Sequence, residues 1–154
     1  MEQAKNTRQY LTFNLDEIYA FPVVKVTEVL ELPLITRVPG SPEFISGVIN
    51  NRGSVVPVIN LRTKLGLPES DLTEDARIIV LEKSLEEELI QIGVMVDKVL
   101  EVFSLADSAI DNSPELGINI QTKYICGLGK IEDAFIIILD IDEVFSMEEL
   151  RIFC

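Results

Sequence analysis

Histidine and tryptophan are both missing from this chain of 154 residues, and cysteine occurs only at Cys126 and Cys154. The lack of histidine removes the commonest general base near neutral pH, together with every Ser-His and Cys-His arrangement for nucleophilic catalysis. The two cysteines have no metal-type spacing, so neither a zinc site nor a disulfide framework is predicted. No cofactor or metal is therefore expected, and a reducing compartment fits best.

Basic residues and long apolar runs are also scarce. Thirteen Lys and Arg stand against 26 Asp and Glu, and the resulting negative field argues against a nonspecific nucleic-acid binder. The longest uninterrupted apolar run, Ala134 to Leu139, is far shorter than the roughly 20 residues that span a bilayer. The N-terminus MEQAKNTRQY has no apolar signal core. We therefore expect an acidic cytoplasmic protein that does not insert into the membrane.

Three features resemble chemical sites and have simpler interpretations. The run Gly127 to Lys130 lacks the spacing of a phosphate-binding loop. Asp140, Asp142 and Glu143 provide oxygen ligands for a hard cation, but an acidic helix start is the more favoured interpretation. Cys126 lies in a predicted strand and is expected to be a small buried residue. A hydrolase that uses an Asp/Glu pair stays open as an alternative, since it requires two carboxylates converging in a pocket with raised pKa.

The stretch from Phe44 to Gly66, FISGVINNRGSVVPVINLRTKLG, is the most informative part of the chain. Two short apolar runs, Phe44 to Ile49 and Val55 to Ile59, flank the turn residues Asn50 to Gly53, a pattern that predicts a β-hairpin. Gly53 is suited to positive φ. Pro57 in the second run cannot donate to a strand ladder, so an edge or a bulge is predicted there.

Alternation and turn residues predict further elements. Strands are predicted at Gln9 to Leu15, Ile18 to Val23, Val26 to Leu32, Arg77 to Leu81 and Ile90 to Val96. Asn60 is the predicted N-cap of a short helix over Leu61 to Leu65, with Gly66 after its end. Asp140 and Glu143 resemble a capping box before an apolar helix stripe. The stripe is formed by Ile141, Val144, Phe145 and Leu150.

The same order of elements occurs twice, on either side of the polar connector Leu67 to Ala76. A shift of 73 aligns Glu28-Val29 with Glu101-Val102, and a shift of 80 aligns Phe44 to Gly47 with Tyr124 to Gly127. Two strand-rich copies with turns at short intervals favour a mainly β fold of paired small barrels over a parallel α/β sheet. The arginine turn is replaced by Ile131-Glu132-Asp133 in the second copy, which hints at a function for Arg52.

Arg52 is the strongest candidate for a functional residue. It is either a solvated turn arginine whose stem covers apolar surface, or a planar donor fork presented to a partner carboxylate or carbonyl. Alternation places Val26, Glu28 and Leu30 on one face of their strand, so Glu28 is a candidate companion of Arg52. For Val26 and Ile78, a role in the core remains equally open.

The motif PEFISGVINNRGSVVPVINLR, together with the order of elements before it, strongly resembles the chemotaxis coupling (adaptor) proteins of the CheW family. The resemblance runs from about Gln9 to Phe145. It implies two SH3-like five-stranded β-barrels around a shared core, with short helices including one at the C-terminus. The expected organisation is a single domain over 9–151, with copies at 9–66 and 77–151, after a flexible N-terminus at 1–8.

The resemblance also implies a function and a set of residues. The function is a non-enzymatic scaffold that couples the cytoplasmic tip of transmembrane chemoreceptors to the regulatory domain of the histidine kinase CheA. A module that serves another signalling array is the alternative. The partner-binding positions carried over to this chain are Val26, Glu28, Gly47, Asn50, Arg52, Gly53 and Ile78. The chain departs from the family pattern at two positions. Asn51 stands where the family usually has an apolar residue, and Asn60 stands where it usually has Asp. Asn and Asp are both good N-caps.

Overall fold

The computed structural model describes residues 7–111 and 122–146, in which strands predominate and a few very short helices connect them. The eleven strands described are β1 (Thr7–Leu15), β2 (Glu17–Pro22), β3 (Val26–Glu31), β4 (Ile45–Asn51), β5 (Ser54–Asn60), β6 (Arg77–Leu85), β7 (Glu88–Val96), β8 (Lys98–Ala106), β9 (Ile110–Asp111), β10 (Ile125–Ile131) and β11 (Ala134–Leu139). The α-helices described are α1 (Leu61–Leu65) and α2 (Ile141–Val144), and 3-10 turns lie at Val23–Lys25, Asp107–Ala109 and Thr122–Tyr124.

The strands form two sheets, each a small SH3-like barrel. The first barrel has the order β8-β1-β2-β11-β10-β9 and the second the order β3-β6-β7-β5-β4. Apart from the two-residue β9, the two orders are equivalent when the strands of one copy are matched to those of the other. The predicted mainly β architecture of two SH3-like barrels is confirmed.

Each barrel takes strands from both sequence copies. The first barrel combines β1 and β2 with β8 to β11, whereas the second combines β3 to β5 with β6 and β7. The copies 9–66 and 77–151 are therefore not the spatial subdomains, which corrects the division expected from the sequence. The chain leaves the first barrel after β2 through the 3-10 turn Val23–Lys25, and β3 then pairs with β6.

In each barrel, one parallel pair of strands joins the two copies: β2 with β11 in the first barrel and β5 with β7 in the second. The two pairs have the same register. Ile138 pairs with Ala20 in the first barrel, and Val58 pairs with Gly93 in the second. These pairs are related by the shifts of 80 and 73 found in the sequence. The duplication is thus visible in the strand register as well as in the residue pattern.

One pair of this parallel ladder is missing in the second barrel, at Pro57. The first barrel pairs Ile137 with Tyr19, but the ladder of the second barrel begins only at Val58. Proline has no N-H to donate, so an equivalent pair at Pro57 is not expected. The predicted edge is wrong, because β5 lies between β4 and β7. The predicted bulge at Pro57 is also wrong, because Pro57 pairs with Val48 and the register of this hairpin shifts instead on β4, between Ile45 and Gly47.

The helix caps follow the sequence prediction with one difference. Asn60 caps α1 by accepting a hydrogen bond from the Thr63 N-H at 3.4 Å, and Gly66 adopts φ 77° after the helix. The carboxylate of Asp140 accepts from two backbone N-H groups in α2. The reciprocal half of the capping box is replaced, because the Asp140 N-H donates to the Tyr124 carbonyl at 2.8 Å.

Two other expectations concern the chain ends. The N-terminus was expected to be flexible through residue 8, but Thr7 and Arg8 already belong to β1 and pair with Ala106 and Leu105 of β8. Residues 1–6, Leu150 in the helix stripe and the end of the domain at 147–151 lie outside the described residues. Within the described part of the chain, no helix has the length and apolarity needed to cross a bilayer.

A shared core lies between the barrels, and each barrel has a smaller core of its own. The shared core contains fully buried side chains from both copies, among them Phe13, Phe21, Ile92 and Phe145. Phe13 and Phe21 pack with ring centroids 4.9 Å apart. Smaller cores occur around Val56 and Ile78 in the second barrel and around Ala20 and Ile138 in the first. The barrels are therefore joined by continuous apolar packing rather than by a linker.

An ion pair also crosses between the barrels beside the shared core. Lys83 of β6 is buried, and its Nζ lies 2.7 Å from Oδ1 of Asp142 in α2. The hydrogen bond from Lys83 lowers the pKa of Asp142 below the ordinary value of 3.8. A carboxyl group whose pKa is lower in the folded state stabilises the fold above its unfolded pKa and loses this effect as the pH falls.

We predict that Asp142→Asn makes stability less sensitive to acid. The unfolding free energy of the wild type should fall between about pH 5 and pH 2, and the variant should show a shallower fall because one linked proton is removed. Urea unfolding at a series of pH values measures this, with Asp75→Asn in the exposed connector as the control. Parallel curves for the wild type and Asp142→Asn would contradict the prediction.

Candidate functional site

The candidate site is built around the tight turn between β4 and β5. Asn51 pairs with Ser54 across the turn, so the turn itself consists of Arg52 and Gly53. Both residues have positive φ, 56° and 86°, as a two-residue hairpin turn requires. The Gly53 N-H donates to Oδ1 of Asn50 at 2.8 Å. Positive φ at Gly53 is confirmed, whereas the left-handed conformation of Arg52 was not foreseen from the sequence.

Glu28 on β3 is the companion of this turn. Its carboxylate accepts a hydrogen bond from Nδ2 of Asn51 at 3.0 Å and lies 3.4 Å from a terminal nitrogen of Arg52. The predicted proximity of Glu28 and Arg52 is confirmed. Asn51, the departure from the family pattern, therefore contributes a donor that orients Glu28.

The exposure of the two charged side chains differs sharply. Glu28 is 19% exposed and Arg52 is 81% exposed. An ion pair with one solvated partner contributes little to folding stability. Most of the guanidinium surface of Arg52 thus remains available, while Glu28 and the rigid turn restrict where that surface points.

Gly47 lies where another segment crosses β4 directly. Thr36 pairs with Val48 through two backbone hydrogen bonds of 2.9 and 2.8 Å. A Cβ atom added at Gly47 would lie 2.2 Å from the Thr36 carbonyl oxygen, and the φ of Gly47 is 149°. The need for glycine here is therefore explained by backbone packing, which also covers the outer edge of β4.

Val26 and Ile78 differ in what they could offer a partner. Val26 is partly buried and packs against the shared core. Ile78 is 0% exposed and belongs to the small core of the second barrel with Val56 and Val80. Ile78 faces inward on β6, between β3 and β7. The expectation that Ile78 contacts a partner directly is therefore corrected to a core role.

The equivalent turn in the first barrel has the same backbone and a different charge. Ile131 pairs with Ala134, and Glu132 adopts φ 53°, close to the value at Arg52. The turn therefore forms equally well with glutamate at this position. Because the backbone does not require arginine, Arg52 is better explained by the contacts that its side chain makes.

Exposed apolar side chains occur on both barrels. Those with the largest exposed fractions are Leu34, Val24, Val55, Leu89 and Phe135. Val24 and Leu34 lie on either side of β3, the strand that carries Glu28. Exposed large apolar side chains contribute to a protein-binding surface when they form a contiguous patch.

The alternative function, a hydrolase that uses an Asp/Glu pair, is not supported by the arrangement of the carboxylates. Glu69 and Asp97 line one small cavity, but both oxygens of Asp97 accept hydrogen bonds from Arg62. The pKa values of Asp16 and Asp142 are lowered by their basic partners, whereas a general acid needs a raised pKa. Within residues 7–111 and 122–146, no cluster of three acidic or cysteine side chains is arranged to hold a metal ion.

Cys126 differs from its prediction. It lies in β10 as expected, but its side chain is exposed because the register of β10 shifts between Ile125 and Gly127, leaving Cys126 in a bulge. Desolvation, followed by the nearby charge of Asp140, raises its pKa. The thiol is therefore protonated at neutral pH and a poor nucleophile.

The fold and the site together define a β-rich protein-binding module made of two barrels with an arginine-bearing hairpin. Comparison with known families extends this assignment, since residues 9–149 match the CheW-like domain. The chain belongs to the CheW-like domain family.

Proteins similar to this chain come from several bacteria. The chemotaxis protein CheW of Klebsiella aerogenes is 34% identical, with 94% of this chain and 86% of the relative covered. The chemotaxis protein CheW of Bacillus subtilis is 37% identical, with 84% and 81% covered. The crystal structure of the scaffolding protein TtCheW from Thermoanaerobacter tengcongensis matches with a TM-score of 0.81 at 33% identity, covering 90% of this chain and 92% of that one.

We predict that Gly47→Ala destabilises the fold more than a matched glycine substitution does. The new methyl group collides with the Thr36 backbone, so a loss of about 2–4 kcal/mol is expected. Gly40→Ala is the control, because Gly40 also has positive φ, 80°, but open space around its Cβ position, and it should lose only about 1–2 kcal/mol. Urea unfolding compares the two variants, and equal losses would refute the backbone-collision account.

Proposed function

We propose that this chain is a non-enzymatic adaptor that couples transmembrane chemoreceptors to the histidine kinase CheA in bacterial chemotaxis. Family membership supports this function. The observation that carries it is the exposed Arg52 fork, fixed on a two-residue turn and restrained by the half-buried Glu28. An arginine presented in this way is suited to a carboxylate or carbonyl on a partner protein.

The receptor contact is best explained as helix-in-groove recognition. Receptor tips of this class are helical hairpins, and an amphipathic helix binds by placing its apolar face in an apolar groove. The exposed Val24 and Leu34, which come directly before and after β3 in the sequence, are the apolar surface that we propose for the receptor helix. Val26, Gly47, Asn50 and Gly53 support this surface from β3 and from the β4–β5 hairpin.

The kinase contact is assigned to a barrel end that pairs with the related barrel of the CheA regulatory domain. Coupling then requires no chemistry by the adaptor. When the receptor changes state, an adaptor bound to both proteins alters the relative stability of the kinase conformations. Modest individual affinities suffice if many such contacts act together in an array at the cytoplasmic face of the membrane.

We predict that Arg52→Ala weakens binding to the receptor tip or to the CheA regulatory domain by about tenfold or more, as expected for an interface anchor. Folding stability should change by less than about 1 kcal/mol, because the Arg52 side chain is mostly solvated. Isothermal titration calorimetry with each partner and urea unfolding measure the two effects. Glu28→Gln should weaken the same contact by a smaller factor, since it loosens the orientation of Arg52.

Arg8→Ala is the matched control, since Arg8 is also an exposed arginine in an ion pair, with Asp107 on the first barrel. Its affinities should equal those of the wild type. If Arg52→Ala binds both partners with unchanged affinity, Arg52 is only a solvated turn residue. If binding and stability fall together, its role is structural.

A further inference from the structure

Arg62 makes a set of contacts that the hairpin site does not use. Its guanidinium donates from all five N-H positions: Nε to Asp97 Oδ1 at 3.2 Å, one terminal nitrogen to Asp16 Oδ2 at 3.2 Å and to the Pro68 carbonyl at 2.8 Å, and the other to Asp16 Oδ1 and Asp97 Oδ2, both at 2.6 Å. The two carboxylates are thus each held in a bidentate arrangement. Such paired contacts fix direction as well as distance.

The three charged residues belong to different parts of the fold. Arg62 lies in α1, directly after β5 of the second barrel. Asp16 forms the turn between β1 and β2 of the first barrel, and Asp97 joins β7 of the second barrel to β8 of the first. The cluster therefore connects one barrel to the turn of the other and to the segment that crosses between them.

Burial strengthens these contacts at the arginine and much less at its carboxylate partners. The side chain of Arg62 is 8% exposed, against 30% for Asp97 and 55% for Asp16. The hydrogen bond from Arg62 lowers the pKa of Asp16, so the aspartate stays charged to a lower pH than an ordinary aspartate does. A buried guanidinium with every donor satisfied strongly disfavours arrangements in which one carboxylate moves away.

An equivalent contact on the other side of the molecule shows that the arrangement is part of the duplication. The shift of 80 that relates α1 to α2 places Asp142 at the position of Arg62. Asp142, after β11 of the first barrel, pairs with Lys83 in the first hairpin of the second barrel. Each helix thus reaches the hairpin of the opposite barrel through an ion pair, and the signs of the charges are reversed between the two sides.

We propose that Arg62 is a positioning residue that fixes the angle between the two barrels, with Asp16 and Asp97 as its anchors. The shared apolar core holds the barrels together, but the hydrophobic effect has no directionality and does not by itself select one angle. The five directed donors of Arg62 select it. In an adaptor whose two partners bind to different barrels, this angle sets the relative placement of the partners.

The direct test compares the orientation of the barrels in Asp16→Gly and in the wild type. Glycine tolerates the φ of 71° at this position, so the variant loses the carboxylate arm while the turn can keep its conformation. Amide residual dipolar couplings should fit one alignment tensor for both barrels in the wild type and in the control Arg8→Gln. In Asp16→Gly and Arg62→Gln, each barrel should still fit alone, but the joint fit should be lost.

If Asp16→Gly keeps the wild-type joint tensor, Arg62 does not set the angle and the proposal is overturned. This result needs only Asp16→Gly, so it stands even if Arg62→Gln fails to fold. The dipolar couplings also do not depend on any partner.

A second experiment tests the functional consequence, and it rests on the proposed function. Asp16→Gly should bind the receptor tip and the CheA regulatory domain separately with affinities within twofold of the wild type, but lose the receptor-dependent change in kinase activity. Retention of that change would overturn the functional consequence. A wild-type protein that binds neither partner would instead refute the proposed function, while the dipolar couplings would still decide the role of Arg62.

Discussion

The fold depends on the exchange of strands between the two copies of the duplicated sequence. Apart from the two-residue β9, each barrel contains the first two strands of one copy and the last three of the other, joined by the parallel pairs Ala20–Ile138 and Val58–Gly93. Because neither copy contains a complete barrel, separating them would expose the shared core around Phe13, Phe21 and Phe145. The apolar core therefore stabilises both barrels as one unit.

The candidate site uses the edges that this exchange leaves in the second barrel. β3 and β4 are its two edge strands, and Glu28 on β3 contacts both Asn51 and Arg52 at the end of β4. These contacts connect the two edges and orient an arginine that stays largely in solvent. In the first barrel, the equivalent turn carries Glu132, so the two copies share a scaffold and differ in the charge that they present.

Local patterns were sufficient to predict most of the individual elements. The hairpin and the caps at Asn60 and Asp140 follow from alternation and turn chemistry within one copy, and Glu28 was a candidate companion of Arg52 whose contact only the structure shows. Exposure was less predictable. Cys126 is exposed because of a bulge, and Ile78 is buried because β6 lies between two other strands. The bulge at Cys126 has no signal in the neighbouring residues, whereas the apolar run Ile78 to Leu81 is typical of a strand buried on both faces.

The strand exchange and the Arg62 cluster could not be predicted because both depend on residues far apart in the chain. Arg62 is separated by 46 residues from Asp16 and by 35 from Asp97, and no local period relates them. The motif that carries the family resemblance ends at Arg62, but the sequence alone offered no reason to prefer it to Arg52. Only the folded arrangement shows that one arginine is enclosed by carboxylates and the other is solvated.

The proposed function requires the protein to hold a receptor and a kinase at the same time. An NMR titration of the isotope-labelled protein with a receptor-tip fragment, followed by the CheA regulatory domain, tests it most directly. Two separate sets of shifted amide signals are expected, with the first set retained when the second partner is added. Displacement of the receptor fragment by the kinase domain from one common surface would contradict it.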